Sequence, residues 1–409
     1  MPGTRLAQAW VMSTIAPAPV NGVVNAGFEA VRQTFADNFH ERNEAGGACA
    51  VSVDGQTVVD LWGGVRNIAT QEPWERDTMV IIYSATKGLA AMALAVAHSR
   101  GWFDYEAPVA AYWPEFAQCG KERITVRQLL AHQAGLHAFD EPVDRAVVAD
   151  PDRLAAVMAR QTPAWPAGSR QAYHAITLGF YESELIRRVD PAHRTIGRFF
   201  QDEIATPLGI EAYIRIPSTI PDERFATIAP PSIVDMLTEF PLRVMLAGLN
   251  HHSHIYRALV VNPGFAVALD DKRIYSRELE VPSGGGVATA RALAAAYGAF
   301  ASGGGRLGLK KETLDLLAAP PVPPLHGFHD ECLKGDVRFS LGFMKPGGVW
   351  RFGGPRSFGS PGSGGSLGFA DPDAGVGYGY VTCQMGARLT GDPRDEALRN
   401  ALYASMAAS

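Results

Sequence analysis

The stretch Ser84-Ala85-Thr86-Lys87 decides the fold of this chain, together with the apolar run behind it, Gly88-Leu-Ala-Ala-Met-Ala-Leu-Ala-Val-Ala97. The run predicts a buried helix over residues 84–100. Since residues three apart share a helix face, the amine of Lys87 can reach the hydroxyl of Ser84. A serine becomes a nucleophile when a nearby base takes its proton, and a helix N-terminus favours the negative charge that develops. The stretch therefore predicts a serine acyl-transfer site; the alternative is an N-cap serine beside a solvated lysine.

The composition is that of a globular protein with a sizeable core. Of the 409 residues, 47% are apolar and 19% are charged, so the chain is not disordered as a whole. The length fits one large enzyme domain or two to three average ones. A net charge of −5 without a basic patch argues against nucleic acid and anionic membranes as partners. No stretch approaches the roughly 20 apolar residues of a membrane span.

The cysteines indicate a reducing compartment. Cys49, Cys119, Cys332 and Cys383 are scattered, and no two have the spacing of a metal or redox site. We expect reduced thiols and a cytoplasmic protein. Residues 1–20 hold one arginine and an interrupted apolar run without a cleavage site, which favours a disordered tail over a signal peptide.

Strand patterns lie near both ends of the chain. Residues 47–53 and 57–62 flank Asp54-Gly55, an arrangement typical of a β-hairpin. Further strands are predicted at 365–370 and 376–383. Pairing between these segments would build one sheet from the two chain ends.

Helical patterns dominate between the strands. The apolar periodicity predicts further helices over residues 124–131, 195–205, 288–301 and 394–406. Helices inserted into a sheet made from both chain ends give an α+β fold rather than alternating βα units. We predict one catalytic unit with an α/β lobe and a mainly helical lobe, formed respectively by 21–83 with 285–409 and by 84–284.

Two further motifs carry possible chemistry. Tyr173-His174-Ala175 follows Trp165-Pro-Ala-Gly168, and a phenol bonded to Ser84 and Lys87 can pass a proton to a leaving group. The alternative is a half-buried core tyrosine. Ser360-Pro361-Gly362-Ser363 precedes the last strand pair. An edge strand there would set the N–H of Ser363 opposite that of Ser84, as an oxyanion hole needs; the alternative is a surface glycine loop.

In this combination and order, the chain resembles the serine β-lactamase-like superfamily. It is most similar to the family VIII carboxylesterases and to their relatives, the 6-aminohexanoate-oligomer hydrolases and fungal acyltransferases. The likeness covers roughly residues 25 to 405 in seven ordered blocks: Tyr83-Ser-Ala-Thr-Lys-Gly88, Pro108-Val-Ala-Ala-Tyr-Trp-Pro-Glu-Phe116, Leu129-Leu-Ala-His-Gln-Ala-Gly-Leu136, Trp165-Pro-Ala-Gly168, Tyr173-His174, Pro207-Leu-Gly209 and Gly362-Ser-Gly-Gly-Ser-Leu-Gly-Phe-Ala-Asp371.

The resemblance implies a β-lactamase and penicillin-binding-protein-like fold, with an antiparallel sheet flanked by helices. It implies Ser84 as nucleophile, Lys87 as its base and Tyr173 as proton relay, with no cofactor or metal. Ser360-Pro361-Gly362 stands where class C β-lactamases have Lys-Thr-Gly. We expect Ser360, Gly362 and Ser363 to contact the substrate.

Two departures from the β-lactamase pattern bear on the substrate. Ala175 stands where those enzymes have an asparagine, and Ser360 stands where they have a lysine that helps to hold the β-lactam carboxylate. A neutral pocket suits an uncharged ester better than an anionic drug. His174 is predicted to line the pocket, with packing in the core as the alternative.

Two other patterns are weaker candidates. Gly364-Gly-Ser-Leu-Gly368 matches the nucleophile elbow of α/β-hydrolases, but Ser366 leads into a predicted strand rather than a helix. Asn250-His-His-Ser-His254 lacks acidic or cysteine partners at metal-ligand spacing and is expected to be a loop.

The function predicted from the sequence is hydrolysis of short-chain carboxylic esters through an acyl-enzyme. The alternatives on the same site are a β-lactamase, a D-amino-acid peptidase or other amide hydrolase, and an acyltransferase. An alternative of another class is a catalytically silent scaffold.

Overall fold

The computed structural model describes residues 20–260, 273–389 and 391–408. The predicted tail, residues 1–20, lies outside these ranges except for Val20. The strands are β1 (Val20–Val24), β2 (Gly46–Val53), β3 (Gln56–Asn67), β4 (Glu72–Pro73), β5 (Val80–Ile81), β6 (Ala212–Tyr213), β7 (Val287–Ala288), β8 (Arg338–Ser340), β9 (Phe343–Lys345), β10 (Phe358–Pro361), β11 (Leu367–Asp371) and β12 (Val376–Thr382).

Helices fill most of the chain between β5 and β8 and also flank the sheet. They are α1 (Glu29–Glu41), α2 (Thr86–Ser99), α3 (Val126–Leu130), α4 (Arg145–Ala149), α5 (Pro151–Arg160), α6 (Thr177–Val189), α7 (Ile196–Phe200), α8 (Thr206–Leu208), α9 (Ile233–Glu239), α10 (Leu242–Gly248), α11 (His254–Leu259), α12 (Ala290–Ala301), α13 (Lys311–Ala318) and α14 (Pro393–Ala408).

The main sheet joins the two ends of the chain. Its strand order is β1-β3-β2-β12-β11-β10-β9-β8, and neighbouring strands are antiparallel. The junction is the pairing of β2 with β12, in which Gly47 lies opposite Thr382. A small second sheet has the order β5-β7-β6 and lies where the helical region meets the main sheet. The predicted α+β class is confirmed, and the lobe boundaries stay a prediction.

The hairpin predicted at Asp54-Gly55 connects β2 to β3. Both residues have positive φ, 50° for Asp54 and 77° for Gly55. This is the backbone of a two-residue turn whose twist matches that of the flanking strands. A local sequence pattern therefore fixed the register of the first strand pair.

Each face of the main sheet is covered by helices, and β2 alternates between two cores. Ala48 and Ala50 belong to the core shared with α12, whereas Cys49 and Val51 belong to the core shared with α1 and α14. On β12, Gly377 permits close packing, because a Cβ there would lie 2.1 Å from the backbone nitrogen of Gly298. The sheet is thus buried on both faces, which holds its ends rigidly.

Three element boundaries differ from the predictions. The predicted 84–100 helix begins as a 3₁₀ turn over Tyr83–Ala85 and becomes α-helical only at Thr86. The predicted 195–205 helix changes from α7 to a π-helical segment, Gln201–Ala205. The stretch from Ser360 to Ser363, predicted as an edge strand with a surface glycine loop as the alternative, contains the end of β10, which pairs with both β9 and β11 and so is not an edge strand. In the described parts of the chain, no helix is long and apolar enough to cross a membrane.

Candidate active site

Ser84 lies in a strained turn at the entrance to α2. Tyr83, directly before it, has φ 44°, a conformation that costs a bulky side chain of order 1–3 kcal/mol. The turn is held by Thr86, whose hydroxyl donates to the carbonyl of Tyr83 at 2.5 Å and accepts from the N–H of Gly286 at 3.0 Å. The half-buried hydroxyl of Ser84 is thereby presented at a helix N-terminus.

The amine of Lys87 is buried beside Ser84. Its Nζ lies 3.4 Å from Ser84 Oγ and donates to two backbone carbonyls, those of Ala175 at 2.7 Å and Ser283 at 2.8 Å. A neutral amine in this position would donate its two N–H groups to the two carbonyls, and its lone pair would then point towards Ser84 Oγ. The contact with Ser283 was not predicted, since a backbone acceptor leaves no mark on the side-chain pattern.

Tyr173 completes a triangle with these two residues. Its hydroxyl donates to Ser84 Oγ at 2.8 Å, and Lys87 Nζ lies 4.7 Å from the centre of its ring. The ring stacks on Phe339 with centroids 5.8 Å apart. The structure therefore brings together the three residues that the sequence singled out for catalysis.

His174 does not reach the cavity at the site. The side chain is fully buried, and its Nε2 accepts the N–H of Leu136 at 3.1 Å, which places the ring proton on Nδ1, 2.6 Å from the carbonyl of Ala172. Burial lowers the pKa of His174 to about 4, so the ring is neutral at neutral pH. The backbone N–H of His174 donates to His132 Nδ1 at 2.9 Å. These contacts fit packing, and they correct the prediction that His174 lines the pocket.

Ser360 contacts the nucleophile turn rather than open space. Its hydroxyl donates to the backbone carbonyl of Ser84 at 2.8 Å, and the residue is 5% exposed. Ser360 and Pro361 end the interior strand β10, which corrects the edge-strand prediction. Ser360 therefore helps to hold Ser84 in place.

The turn after β10 brings Ser363 to the same point. Gly362 packs directly on the nucleophile turn, because a Cβ there would lie 2.2 Å from the carbonyl oxygen of Ile82. Ser363 is exposed in the cavity that Ser84 also lines, and its backbone N–H has no acceptor among the described residues. This N–H is free to donate a hydrogen bond to a ligand oxygen, as the oxyanion prediction requires.

Arg394 pins this turn from the last helix. The buried guanidinium donates to the carbonyls of Gly364 at 3.1 Å and Gln384 at 2.8 Å, and it forms a bidentate pair with Asp392 at 2.6 and 2.9 Å. Bidentate arginine pairs fix geometry as well as charge. This role of Arg394 could not be predicted from the sequence, because Asp392-Pro393-Arg394 indicates only the start of a helix.

The two weaker candidates from the sequence, Ser366 and the histidines near His254, have no catalytic or metal-binding surroundings among the described residues. Ser366 is buried, its carbonyl accepts the N–H of Gly362 at 2.6 Å, and it leads into β11. The nucleophile-elbow context of strand, turn and helix is therefore absent at Ser366. His254 Nδ1 lies 3.0 Å from His137 Nε2, and the described residues contain no group of side chains suited to a metal ion.

A cavity of about 740 Å³ opens at Ser84. Ser84, Tyr173 and Ser363 all line it. The candidate catalytic groups therefore face a space of the size that holds drug-sized ligands.

Glu182 of α6 is a buried carboxyl behind the site. Neither of its oxygens has a hydrogen-bond partner among the described residues, and the side chain is fully buried. Burial raises the pKa of Glu182 to about 8, and the charge of Lys87 offsets this only in part. The carboxyl is therefore mostly protonated at neutral pH.

The substitution Glu182→Gln is expected to stabilise the protein at alkaline pH. Glutamate has an ordinary pKa of 4.5, whereas folding raises the pKa of Glu182 to about 8. In the window between these two pH values the folded state therefore binds one proton more than the unfolded state. The wild type then loses free energy of unfolding as the pH rises through the window. The neutral amide of the variant avoids this loss. The difference in free energy of unfolding between variant and wild type grows with pH to about 5 kcal/mol at most. Urea unfolding across the window measures it.

The matched control is Glu122→Gln, at an exposed position. It should leave the pH dependence of stability unchanged. A stability difference between Glu182→Gln and wild type that stays constant from acid to alkaline pH would contradict the prediction.

Sequence and structure comparisons now place the chain among known proteins. Residues 31–402 match the family described as Beta-lactamase. This chain belongs to the beta-lactamase family. The family match covers every residue of the candidate site, from Ser84 to Arg394, and the resemblance predicted from the seven blocks is confirmed.

Individual similar proteins agree with this assignment. The chain is 35% identical to the esterase/beta-lactamase LipL of Mycobacterium tuberculosis over 371 residues, 88% of this chain and 82% of LipL. A family VIII carboxylesterase structure has a TM-score of 0.83 at 34% identity, over 95% of this chain and all (100%) of that one. A penicillin-binding protein homologue from Caulobacter crescentus has a TM-score of 0.80 at 35% identity, with 95% and 100% covered. The predicted β-lactamase and penicillin-binding-protein-like fold is confirmed.

Proposed function

We propose that this serine hydrolase cleaves short-chain, uncharged carboxylic esters through an acyl-enzyme. The observation that carries the proposal is the position of Ser84 Oγ, 3.4 Å from Lys87 Nζ and 2.8 Å from the hydroxyl of Tyr173. A hydroxyl with a base and a proton relay in reach, at the mouth of a cavity, has what nucleophilic catalysis needs.

The first half of the reaction forms the acyl-enzyme. Lys87, as the neutral amine, takes the proton of Ser84 while Oγ attacks the ester carbonyl carbon. The negative charge that moves to the carbonyl oxygen is held by the backbone N–H groups of Ser84 and Ser363. As the tetrahedral intermediate collapses, Tyr173 protonates the departing alcohol and recovers a proton from Lys87.

The second half releases the acid. Water gives its proton to the Tyr173–Lys87 pair and attacks the acyl carbon, and the bond from this carbon to Ser84 Oγ breaks. The proton then returns to Ser84, so the enzyme ends as it began.

Hydrolysis of β-lactams on the same site is the second candidate, because LipL and the Caulobacter protein carry β-lactamase and penicillin-binding names. Two contacts argue against it as the main activity. Ser360 offers no cation, and its hydroxyl is already bonded to the carbonyl of Ser84. Ala175 has no side-chain amide, and its backbone carbonyl accepts a hydrogen bond from Lys87. The groups that would hold a β-lactam carboxylate and side-chain amide are therefore missing.

We expect the wild type to prefer p-nitrophenyl butyrate over nitrocefin by several orders of magnitude in kcat/KM. The missing hydrogen bond from a lysine to the carboxylate is worth roughly 10- to 150-fold in affinity, and the missing neutral bond from an asparagine roughly 2- to 10-fold. The double variant Ser360→Lys with Ala175→Asn should narrow this gap, with nitrocefin gaining relative to the butyrate. Steady-state kinetics on both substrates measure the ratio.

Both positions are buried, so circular dichroism must first establish that the double variant is folded. The single variant Ala175→Asn is the control for a substitution that restores only one partner. Wild-type enzyme that hydrolyses nitrocefin as fast as the butyrate would refute the selectivity argument.

The function is tested by labelling and turnover in parallel. Intact protein should react with a fluorophosphonate probe and hydrolyse p-nitrophenyl butyrate faster than nitrocefin or D-Ala-D-Ala peptides. A faster reaction with the peptides would favour the amide hydrolase, and acyl transfer to an added alcohol in preference to water would favour the acyltransferase. Correctly folded protein without labelling would favour the silent scaffold.

The cysteines support a cytoplasmic location as part of this proposal. None of Cys49, Cys119, Cys332 and Cys383 forms a disulfide. Thiols kept apart in this way are typical of proteins from reducing compartments.

A further inference from the structure

The cavity at Ser84 is much larger than a short-chain ester needs. It measures about 740 Å³, whereas the second recess at Lys87 and Tyr173 measures about 10 Å³. A space of about 10 Å³ holds no more than a water molecule. Within the described residues, a large substrate group therefore has room in the first cavity and not in the second.

The walls of the cavity are part of the fold. The lining includes residues of the segment from Phe225 to Phe240, which contains α9, and of the segment from Met385 to Leu389. The two are joined next to the cavity, where the N–H of Ala229 donates to the carbonyl of Cys383 at 2.8 Å and the N–H of Met385 donates to that of Ala229 at 2.9 Å. This part of the cavity wall is thus held together by backbone hydrogen bonds.

The lining of the cavity is mostly apolar. Side chains that face it include Phe225, Ile228, Met236, Phe240, Met344 and Leu389. Burying apolar surface against such walls gains about fourfold in affinity for each methylene group. An apolar substrate group would therefore bind more tightly as it lengthens, until the cavity is filled.

Charged side chains in the lining already form ion pairs. Among the described residues, each has an opposite charge within salt-bridge distance: Arg273 with Asp222 at 3.2 Å, Arg388 with Glu239 at 3.4 Å, Asp392 with Arg394 at 2.6 Å and Asp395 with Arg399 at 2.8 Å. A charged ligand would have to break one of these pairs or enter the cavity without a counter-charge. The cavity thus favours a neutral group.

We propose that the substrate is an ester of a short acid with a large, uncharged, apolar alcohol, and that the alcohol group fills this cavity. The inference rests on the proposed ester hydrolysis, in which the acyl group is short. Tyr173, which protonates the alcohol in that mechanism, forms part of the cavity wall. The alcohol is therefore the side of the ester that extends along Phe225 to Phe240.

The test uses acetates of linear alcohols, from ethyl through butyl and hexyl to octyl acetate. All of them form the same acetyl-enzyme and release alcohols of similar acidity, so differences in kcat/KM report the fit of the alcohol group. We expect kcat/KM to rise at least about 30-fold from ethyl to octyl acetate, less than the fourfold per methylene of full burial. A flat or falling series, with p-nitrophenyl acetate still hydrolysed, would overturn the substrate class and leave the esterase function standing. Absence of turnover on every ester would instead sink the proposed function.

A matched pair of variants on α9 tests the location. Met236 lines the cavity, and its neighbour Leu237 is 69% exposed and does not. Met236→Asp should lower the octyl-to-ethyl ratio of kcat/KM at least about tenfold, because two or more methylenes lose apolar contact. Leu237→Asp, the same change on the outer face, should leave the ratio at the wild-type value. Equal ratios in the two variants would place the alcohol group elsewhere.

Discussion

The substitution Ser84→Ala is expected to lower kcat/KM for p-nitrophenyl butyrate by roughly 10³-fold or more while the protein stays folded. In the proposed mechanism the hydroxyl at this position forms the covalent bond to the substrate. The methyl group of alanine can neither attack the ester carbonyl nor be acylated. Steady-state kinetics with circular dichroism measure both parts of the prediction. Activity within about tenfold of the wild type would remove Ser84 as the nucleophile.

The serine at 366 provides the control for this experiment. Ser366→Ala should still react with an organophosphate at Ser84, because Ser366 is buried between a turn and β11. Mass spectrometry of the labelled peptide identifies the modified residue. A label that disappears with Ser366 and persists in Ser84→Ala would restore the α/β-hydrolase interpretation.

The substitution Tyr173→Phe is expected to have the next largest effect, a loss of roughly 10²- to 10⁴-fold in kcat/KM. The change removes the hydroxyl that donates to Ser84 Oγ at 2.8 Å but keeps the ring that stacks on Phe339. The loss should fall most heavily on alkyl esters, whose alcohols need a proton to leave, and less on p-nitrophenyl esters. Comparing ethyl acetate with p-nitrophenyl acetate measures this difference.

Tyr112→Phe is the matched control, since its hydroxyl only accepts the backbone N–H of Asp104 at 2.9 Å, away from the cavity. It should retain wild-type kinetics on both acetates. If Tyr173→Phe lowered the two acetates equally, its hydroxyl would have a role other than protonating the alcohol.

Local patterns predicted most of the elements and the contact between Ser84 and Lys87. The hairpin at Asp54-Gly55 depends on two adjacent residues with positive φ, and the contact of Ser84 with Lys87 depends on a spacing of three. Both are short-range properties that a sequence displays directly. Tyr173 entered through the family resemblance, because no spacing links it to Ser84. The catalytic roles of all three stay predictions until the kinetics are measured.

Long-range contacts were beyond the sequence. Lys87 donates a hydrogen bond to the carbonyl of Ser283, which is far from it in the sequence. The turn that carries Ser363 is held by Arg394, which belongs to a later helix. Backbone carbonyls are the same at every residue, so their partners depend on the tertiary fold alone. An edge strand, or alternatively a glycine loop, was predicted around Pro361, whereas the strand there lies inside the sheet. Proline is tolerated at this position because it ends the strand.

The pairing of β2 with β12 also sets the order of events during synthesis. Bringing together residues near opposite ends of a chain costs loop-closure entropy before the contacts between them can stabilise the fold. Sheets of this kind therefore form slowly. The partner strand β12 and Arg394 emerge from the ribosome after almost all of the helical region. Ser84, Lys87 and Tyr173 are therefore synthesised long before the turn that faces them is held in place, and the nascent chain is expected to remain inactive until its last helix docks.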